Sequence, residues 1–208
     1  MKNIAVLVSG GGTNLQALID AQSRGEIKNG HITCVISSNP NAYALTRAEN
    51  SNIPTEVIRR KDYAEFDEYD SALTELLKSK NIDLVVLAGF MTILGSKVIS
   101  AFNNRIINIH PSLIPSFCGE GFYGLRVHEV ALKKGVKVTG ATAHFVNEIC
   151  DGGPIIIQKA VEIKNGDTPE ILQKRVMEQA EWKILPKAVS LFCEDKIKVV
   201  DNKTEILD

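Results

Sequence analysis

The chain has 208 residues, 44% of them hydrophobic, and 24 Lys and Arg against 25 Asp and Glu leave a formal net charge of −1. That length and hydrophobic share can bury one sizeable core, so a single domain over residues 1–208 is expected. A near-neutral balance excludes a global field that would recruit nucleic acid or a membrane surface, so an anionic ligand has to be held locally.

The apolar run Ile4–Val8 reads as a first strand. It stops at Ser9-Gly10, too short for a signal core or a membrane span, and the expected location is the cytoplasm. Ser9-Gly10-Gly11-Gly12-Thr13-Asn14 then leads into a helical segment, Leu15–Ala21. Small residues at a helix start let backbone N–H groups approach an anion, and the helix dipole favours negative charge, so a phosphate is the natural guest. The competing reading is a tight strand-to-helix turn whose glycines only permit unusual dihedrals. The loop is not a dinucleotide fingerprint: Leu15 stands where the third glycine would be, and the second strand ends in Ser37-Ser38-Asn39 without a carboxylate for a ribose. Nor does a Lys-Ser/Thr pair close it as in a nucleotide triphosphate loop. A monophosphate is favoured.

Further strand-like runs, Ile32–Ile36, Thr55–Ile58, Leu84–Leu87 and Ile106–Ile109, alternate with helical segments such as Ala42–Glu49 and Tyr69–Leu77. This pattern predicts a parallel sheet, and the continuous apolar character of the runs predicts helices over both of its faces. In Ile106-Ile107-Asn108-Ile109-His110-Pro111 the two-residue period puts Asn108 and His110 on one face at the carboxyl end of a strand. Open α/β sheets bind ligands there. An amide beside an imidazole suits acyl or formyl transfer, since both can stabilise an oxyanion and the imidazole can move protons. A lone histidine is more often a satisfied core residue, but this pair would bury two polar groups at the end of an apolar strand.

Gly119-Glu120-Gly121-Phe122-Tyr123-Gly124 spells a G-x-G-x-x-G but follows a loop, not a strand, and is expected to be a mobile loop over a site. His128, on the helix expected next, reads as a surface or packing residue, as does His31. From Val136 two long runs, Val136–Val146 and Ile155–Ile163, are separated only by Asn147–Pro154 and predict an antiparallel pair. The glycines of Asp151-Gly152-Gly153 allow a tight fold that brings the Asp151 carboxylate to a ligand or to His110. His144 can face the same cavity or serve the core. Thr168 as cap, Pro169 and Glu170 open a long helix, and a short strand, Ile197–Val200, precedes a polar tail. Cys34, Cys118, Cys150 and Cys193 show no metal or redox spacing, and no serine sits in a nucleophile elbow. Direct transfer without a covalent intermediate or a metal fits best.

Taken together, Ser9–Ala17, Leu87-Ala88-Gly89-Phe90-Met91, Asn108–Pro115 and Asp151–Pro154 resemble the folate-dependent phosphoribosylglycinamide formyltransferase family, in order and over nearly the whole chain. The resemblance implies a single-domain, three-layer α/β fold of Rossmann-like type, with a mixed, mostly parallel sheet. It implies transfer of a formyl group from 10-formyltetrahydrofolate, a co-substrate, to the amine of phosphoribosylglycinamide in purine synthesis, by a monomer or homodimer acting on small molecules without nucleic acid. It assigns Asn108 and His110 as catalytic donors and Asp151 as the carboxylate supporting His110. Gly12, Thr13 and Asn14 become the phosphate loop and Glu181 a contact to the sugar and amine. Met91, Thr92, Ile93 and Leu94, with Asn108, become the folate pocket.

There are departures. Thr92 replaces an arginine frequent in the family, a basic folate contact has no counterpart beyond nearby Arg59-Arg60-Lys61, and Phe117–Gly124 is longer and richer in glycine than usual. Among rivals, a formyltetrahydrofolate hydrolase is expected to carry an added N-terminal domain and a methionyl-tRNA formyltransferase an added C-terminal one. A non-catalytic Rossmann-type binding module would leave the convergence of Asn108, His110 and Asp151 unexplained.

Overall fold

Strand β1 (Lys2–Val8) divides its side chains between two cores, Ile4, Val6 and Val8 facing one and Ala5 and Leu7 the other. All five are fully buried, so both faces of the strand are covered and it lies inside a sheet. The computed structural model describes residues 1–207 and shows a seven-stranded sheet in the order β3-β2-β1-β4-β5-β6-β7. Strands β2 (Gly30–Ser37), β3 (Thr55–Val57), β4 (Leu84–Leu87) and β5 (Ile106–His110) run parallel to β1. Strands β6 (Val138–Phe145) and β7 (Ile155–Glu162) are antiparallel, so the sheet is mixed, as the sequence predicts.

Helices α1 (Thr13–Ser23), α2 (Tyr43–Asn50), α6 (Pro169–Val176) and α7 (Trp182–Cys193) contribute to the first core. Helices α3 (Phe66–Ser79) and α4 (Ser96–Ala101) close the second, and α5 (Leu125–Lys134) packs beside α6. A fully buried leucine such as Leu7 contributes about 2 kcal/mol by leaving water, and side chains of this kind recur on both faces. Strand order reverses between β1 and β4, so the loops after β1, β4 and β5 open at one edge beside this switch point.

One expectation needs correction. The long helix is three pieces: after α6, capped as expected by Thr168 accepting from the Ile171 N–H at 3.3 Å, a π turn over Met177–Glu181 leads into α7. The expected strand Ile197–Val200 is β8, and within the polar tail it pairs antiparallel with β9 (Lys203–Ile206) in a separate hairpin. Asp201 and Asn202 form its two-residue turn, both at positive φ (49° and 58°), the backbone of a type I′ turn. Among the described residues no helix is long and apolar enough to cross a membrane.

Candidate active site

Asn108 and His110 continue the face of β5 that Ile106 gives to the second core, and the antiparallel neighbour β6 sets His144 directly opposite Asn108. The pair meets: Asn108 Nδ2 lies 3.2 Å from His144 Nε2. His144 Nδ1 lies 2.8 Å from the Phe145 carbonyl, which can only accept, so Nδ1 carries a proton, and Nε2 faces both the Asn108 amide and the Asp151 carboxylate. The same logic fixes His110. Its Nε2 donates to the Phe117 carbonyl at 2.9 Å, which leaves Nδ1 as the nitrogen that gains or loses a proton.

Asp151 stands between the two imidazoles, Oδ2 3.5 Å from His110 Nδ1 and Oδ1 3.6 Å from His144 Nε2. Its carboxylate also accepts the Gly119 N–H at 2.9 Å, tying the glycine-rich loop to the site. Burial alone raises the Asp151 pKa, but His144, His110 and the Gly119 N–H together outweigh it and hold the carboxyl below its ordinary value. His110 is lowered, chiefly by burial, against the opposing pull of Asp151 and the Phe117 carbonyl. A protonated His110 would present Nδ1–H to Asp151, so the geometry is prepared for an imidazolium.

The loop that carries Asp151 is tightly built. The Asn147 side chain accepts from the Ile149 N–H at 3.0 Å and donates to the Gly152 carbonyl at 3.3 Å. Gly153 is required by space, since a Cβ there would lie 1.9 Å from the Phe145 oxygen. The loop after β5 is fixed as firmly: Thr142 Oγ1 donates to Ser112 O at 2.7 Å and accepts from the Ile114 N–H at 3.2 Å.

At the end of β1, Gly12 caps α1 with φ 71°, and a Cβ there would lie 2.6 Å from the Ala44 methyl, so glycine answers both to dihedral and to contact. Arg47, which sequence reading missed, donates to Gly11 O at 2.8 Å and to Gln16 at 3.0 Å. Asn14 Nδ2 donates to Glu181 at 2.8 Å. Glu181, on an expected long helix, would ordinarily be solvated; the π turn instead buries it, and burial, against the weaker effect of Asn14, pushes its pKa up to about 7. Thr13, Asn14 and Glu181 thus converge with the glycine loop. The Asn14 side-chain oxygen is buried with no partner.

The segment after β4 starts beside Asn108, because Leu87 pairs with Asn108 in register. Met91 and Ile93 are 57% and 78% exposed, apolar surface next to β5, while Thr92 is half-buried and Leu94 sits in the second core. Ser9 Oγ accepts the Met91 N–H at 2.8 Å, and Asp70 accepts the N–H groups of Gly95 (3.0 Å) and Lys97 (2.8 Å), which fixes both ends of the segment. Arg59 and Arg60 are engaged locally, with Asp62 at 2.6 Å and the Tyr63 carbonyl at 2.7 Å. His128 is fully buried rather than superficial, with neither ring nitrogen bonded. Cys118 and Cys150, far apart in sequence, border one cavity beside Asp151, and all four cysteines are free.

Comparison with known proteins points to one family. Residues 2–189 match the formyl transferase family model. The chain is 43% identical over 202 residues to phosphoribosylglycinamide formyltransferase of Haemophilus influenzae, covering 97% of this chain and 92% of that protein. It is 45% identical over 199 residues to the trifunctional purine biosynthetic protein adenosine-3 of Bos taurus, covering 96% of this chain but spanning only 19% of that protein's length. The crystal structure of glycinamide ribonucleotide transformylase 1 from Symbiobacterium toebii superposes with a TM-score of 0.94 at 42% identity, over 100% of this chain and 95% of that one. With most of its length matched by sequence and by structure, the chain belongs to the formyl transferase family.

Proposed function

We propose that this chain transfers the formyl group of 10-formyltetrahydrofolate to the amine of phosphoribosylglycinamide in purine biosynthesis, acting in the cytoplasm as a monomer or homodimer. The observation that carries the reading is the cluster of Asn108, His110, His144 and Asp151 at the carboxyl end of β5, beside a second cluster of Gly12, Thr13, Asn14 and Glu181 at the end of β1. The first suits an attacked carbonyl and the second a phosphorylated amine. Exposed Met91 and Ile93 offer apolar surface to a flat heterocycle next to Asn108.

In this reading the neutral amine attacks the formyl carbon, forming a C–N bond and placing negative charge on the formyl oxygen. The free N–H of Asn108 and the His110 imidazolium donate to that oxygen, each worth about 3 kcal/mol in the transition state. Asp151 holds the imidazolium by its charge. As the tetrahedral intermediate collapses, the bond to the folate nitrogen breaks and that nitrogen takes up the proton the amine has lost, relayed by water. The Phe117 carbonyl on His110 Nε2 occupies a position where an oxygen acceptor is received, so in this reading that carbonyl gives way to the formyl oxygen.

The test mixes the purified protein with both substrates and follows the formyl donor. Loss that requires the amine supports transfer. Equal loss without the amine indicates a hydrolase, and no loss in either mixture overturns the proposal.

A further inference from the structure

The family match ends at residue 189, inside α7, before the hairpin β8–β9 begins. Yet that hairpin reaches the loop on which the proposed chemistry depends. Asn202, in its turn, donates from Nδ2 to the Gly152 carbonyl at 3.3 Å, the residue immediately after Asp151. Thr204, on β9, donates from Oγ1 to the Ile155 carbonyl at 2.6 Å, where the loop enters β7. Asn202, Lys203 and Thr204 line one cavity of about 540 Å³ together with Cys150, Asp151 and Gly152.

The loop needs such ties. Asp151 sits at φ 55°, the left-handed region that costs a non-glycine residue about 1 kcal/mol. A strained conformation of this kind persists only where its surroundings over-determine it. Within the loop, Asn147 supplies one bond to the Gly152 carbonyl at 3.3 Å; the second comes from Asn202, 50 residues away in sequence. The hairpin, marginal alone as a two-stranded unit, is anchored independently of these bonds by Ile197 and Val199, which pack against the first core. Anchorage and tether therefore lie on different side chains and can be separated by mutation.

We propose that the C-terminal hairpin belongs to the catalytic apparatus, with Asn202 and Thr204 as positioning residues that hold the Asp151 loop against the paired histidines. The proposal rests on the reading of Asp151 as the carboxylate that supports His110. Removing both tethers lets the carboxylate retreat by a fraction of an ångström, which weakens its hold on the His110 imidazolium without touching either substrate.

The experiment is the double variant Asn202→Ala/Thr204→Val in the full chain, with Thr204→Ser as the conservative control that keeps the hydroxyl. The expected result is a fall in kcat of about 10-fold with both KM values little changed. The His110 ring titration, followed by nitrogen-15 NMR, should move to lower pH in the double variant and stay at the wild-type position in Thr204→Ser. A folded double variant with native kcat and native His110 titration overturns the proposal; so does a lowered melting temperature with an unmoved titration, which would make the tethers merely structural. The titration needs no substrate. A wild-type protein that fails to transfer formyl groups, with a titration that still moves, would count against the function and not against the tether.

Discussion

The Glu181 carboxylate accepts a 2.8 Å hydrogen bond from Asn14, joining the π turn to the first turn of α1 across 167 residues of sequence. Burial raises its pKa from the ordinary 4.5 to about 7, with Asn14 opposing. Between those values the folded state holds a proton that the unfolded chain has lost, so stability is full below about pH 4.5, falls as pH rises, and levels above about pH 7. The whole fall amounts to about 3 kcal/mol. Glu181→Gln keeps an acceptor for Asn14 and cannot ionise, so its urea-unfolding free energy should stay flatter from pH 5 to 8. An identical slope in both proteins would remove Glu181 as the cause. At about pH 8, above the Glu181 pKa, the same variant should raise KM for the phosphorylated amine about 10-fold, because a carboxylate contact is replaced by a neutral amide.

Asp151 raises the His110 pKa while burial lowers it. Asp151→Asn removes the raising charge, so His110 should titrate at still lower pH. If imidazolium is the working form, turnover falls as pH rises through the His110 pKa, and this fall should begin at lower pH in the variant. A loss in kcat of about 100-fold is expected near neutrality, with His110→Ala at least as severe. Steady-state kinetics from pH 5 to 9 decide it, and a native pH profile in Asp151→Asn would separate Asp151 from the chemistry.

Much of this site is legible in the sequence because it depends on local period. Asn108 and His110 share a face by the alternation of a strand, and Gly12, Thr13 and Asn14 follow from a strand that ends in glycines before a helix. The partners of these groups are set by register instead. His144 faces Asn108 only through the antiparallel pairing of β5 with β6, which composition does not reveal. Glu181 is buried by a π turn within what reads as a continuous helical pattern. The hairpin had a local signal, Asp201-Asn202 between two short β-branched runs, but no glycine to make the turn evident, and Asn202's contact with Gly152 lies 50 residues off.

His128 is fully buried, neither ring nitrogen is bonded, and burial, with a smaller push from His110, lowers its pKa to about 4. The unfolded chain therefore binds a proton before the folded one does. Stability is full above pH 6.5 and is lost as pH falls toward about 4, by about 3 kcal/mol in all. His128→Leu fills similar space without a titrating group, so thermal melts at pH 5 should show it more stable than the wild type. At pH 7.5 the two should be nearly equal, or the variant slightly ahead, since an unpaired buried polar group is removed. A variant less stable than the wild type at both values would mean that His128 has an unseen favourable partner.

Gly153 tests whether the Asp151 loop tolerates any displacement. A Cβ there would lie 1.9 Å from the Phe145 oxygen, the same oxygen that takes the His144 Nδ1 proton at 2.8 Å. The Phe145 N–H in turn donates to Pro154 O at 2.8 Å, so neither strand can give way without breaking a ladder bond. Gly153→Ala should cost about 3 kcal/mol as an overpacked site and should also disturb the His144 ring beside Asn108. Gly25→Ala is the matched control: its φ is 71° but nothing lies within 4 Å of the added methyl, so only the backbone strain of about 1 kcal/mol is expected, with turnover unchanged. Urea unfolding and kcat for the two variants separate steric contact from dihedral strain, and equal losses in both would show that contact with the Phe145 carbonyl does not decide the place of glycine here.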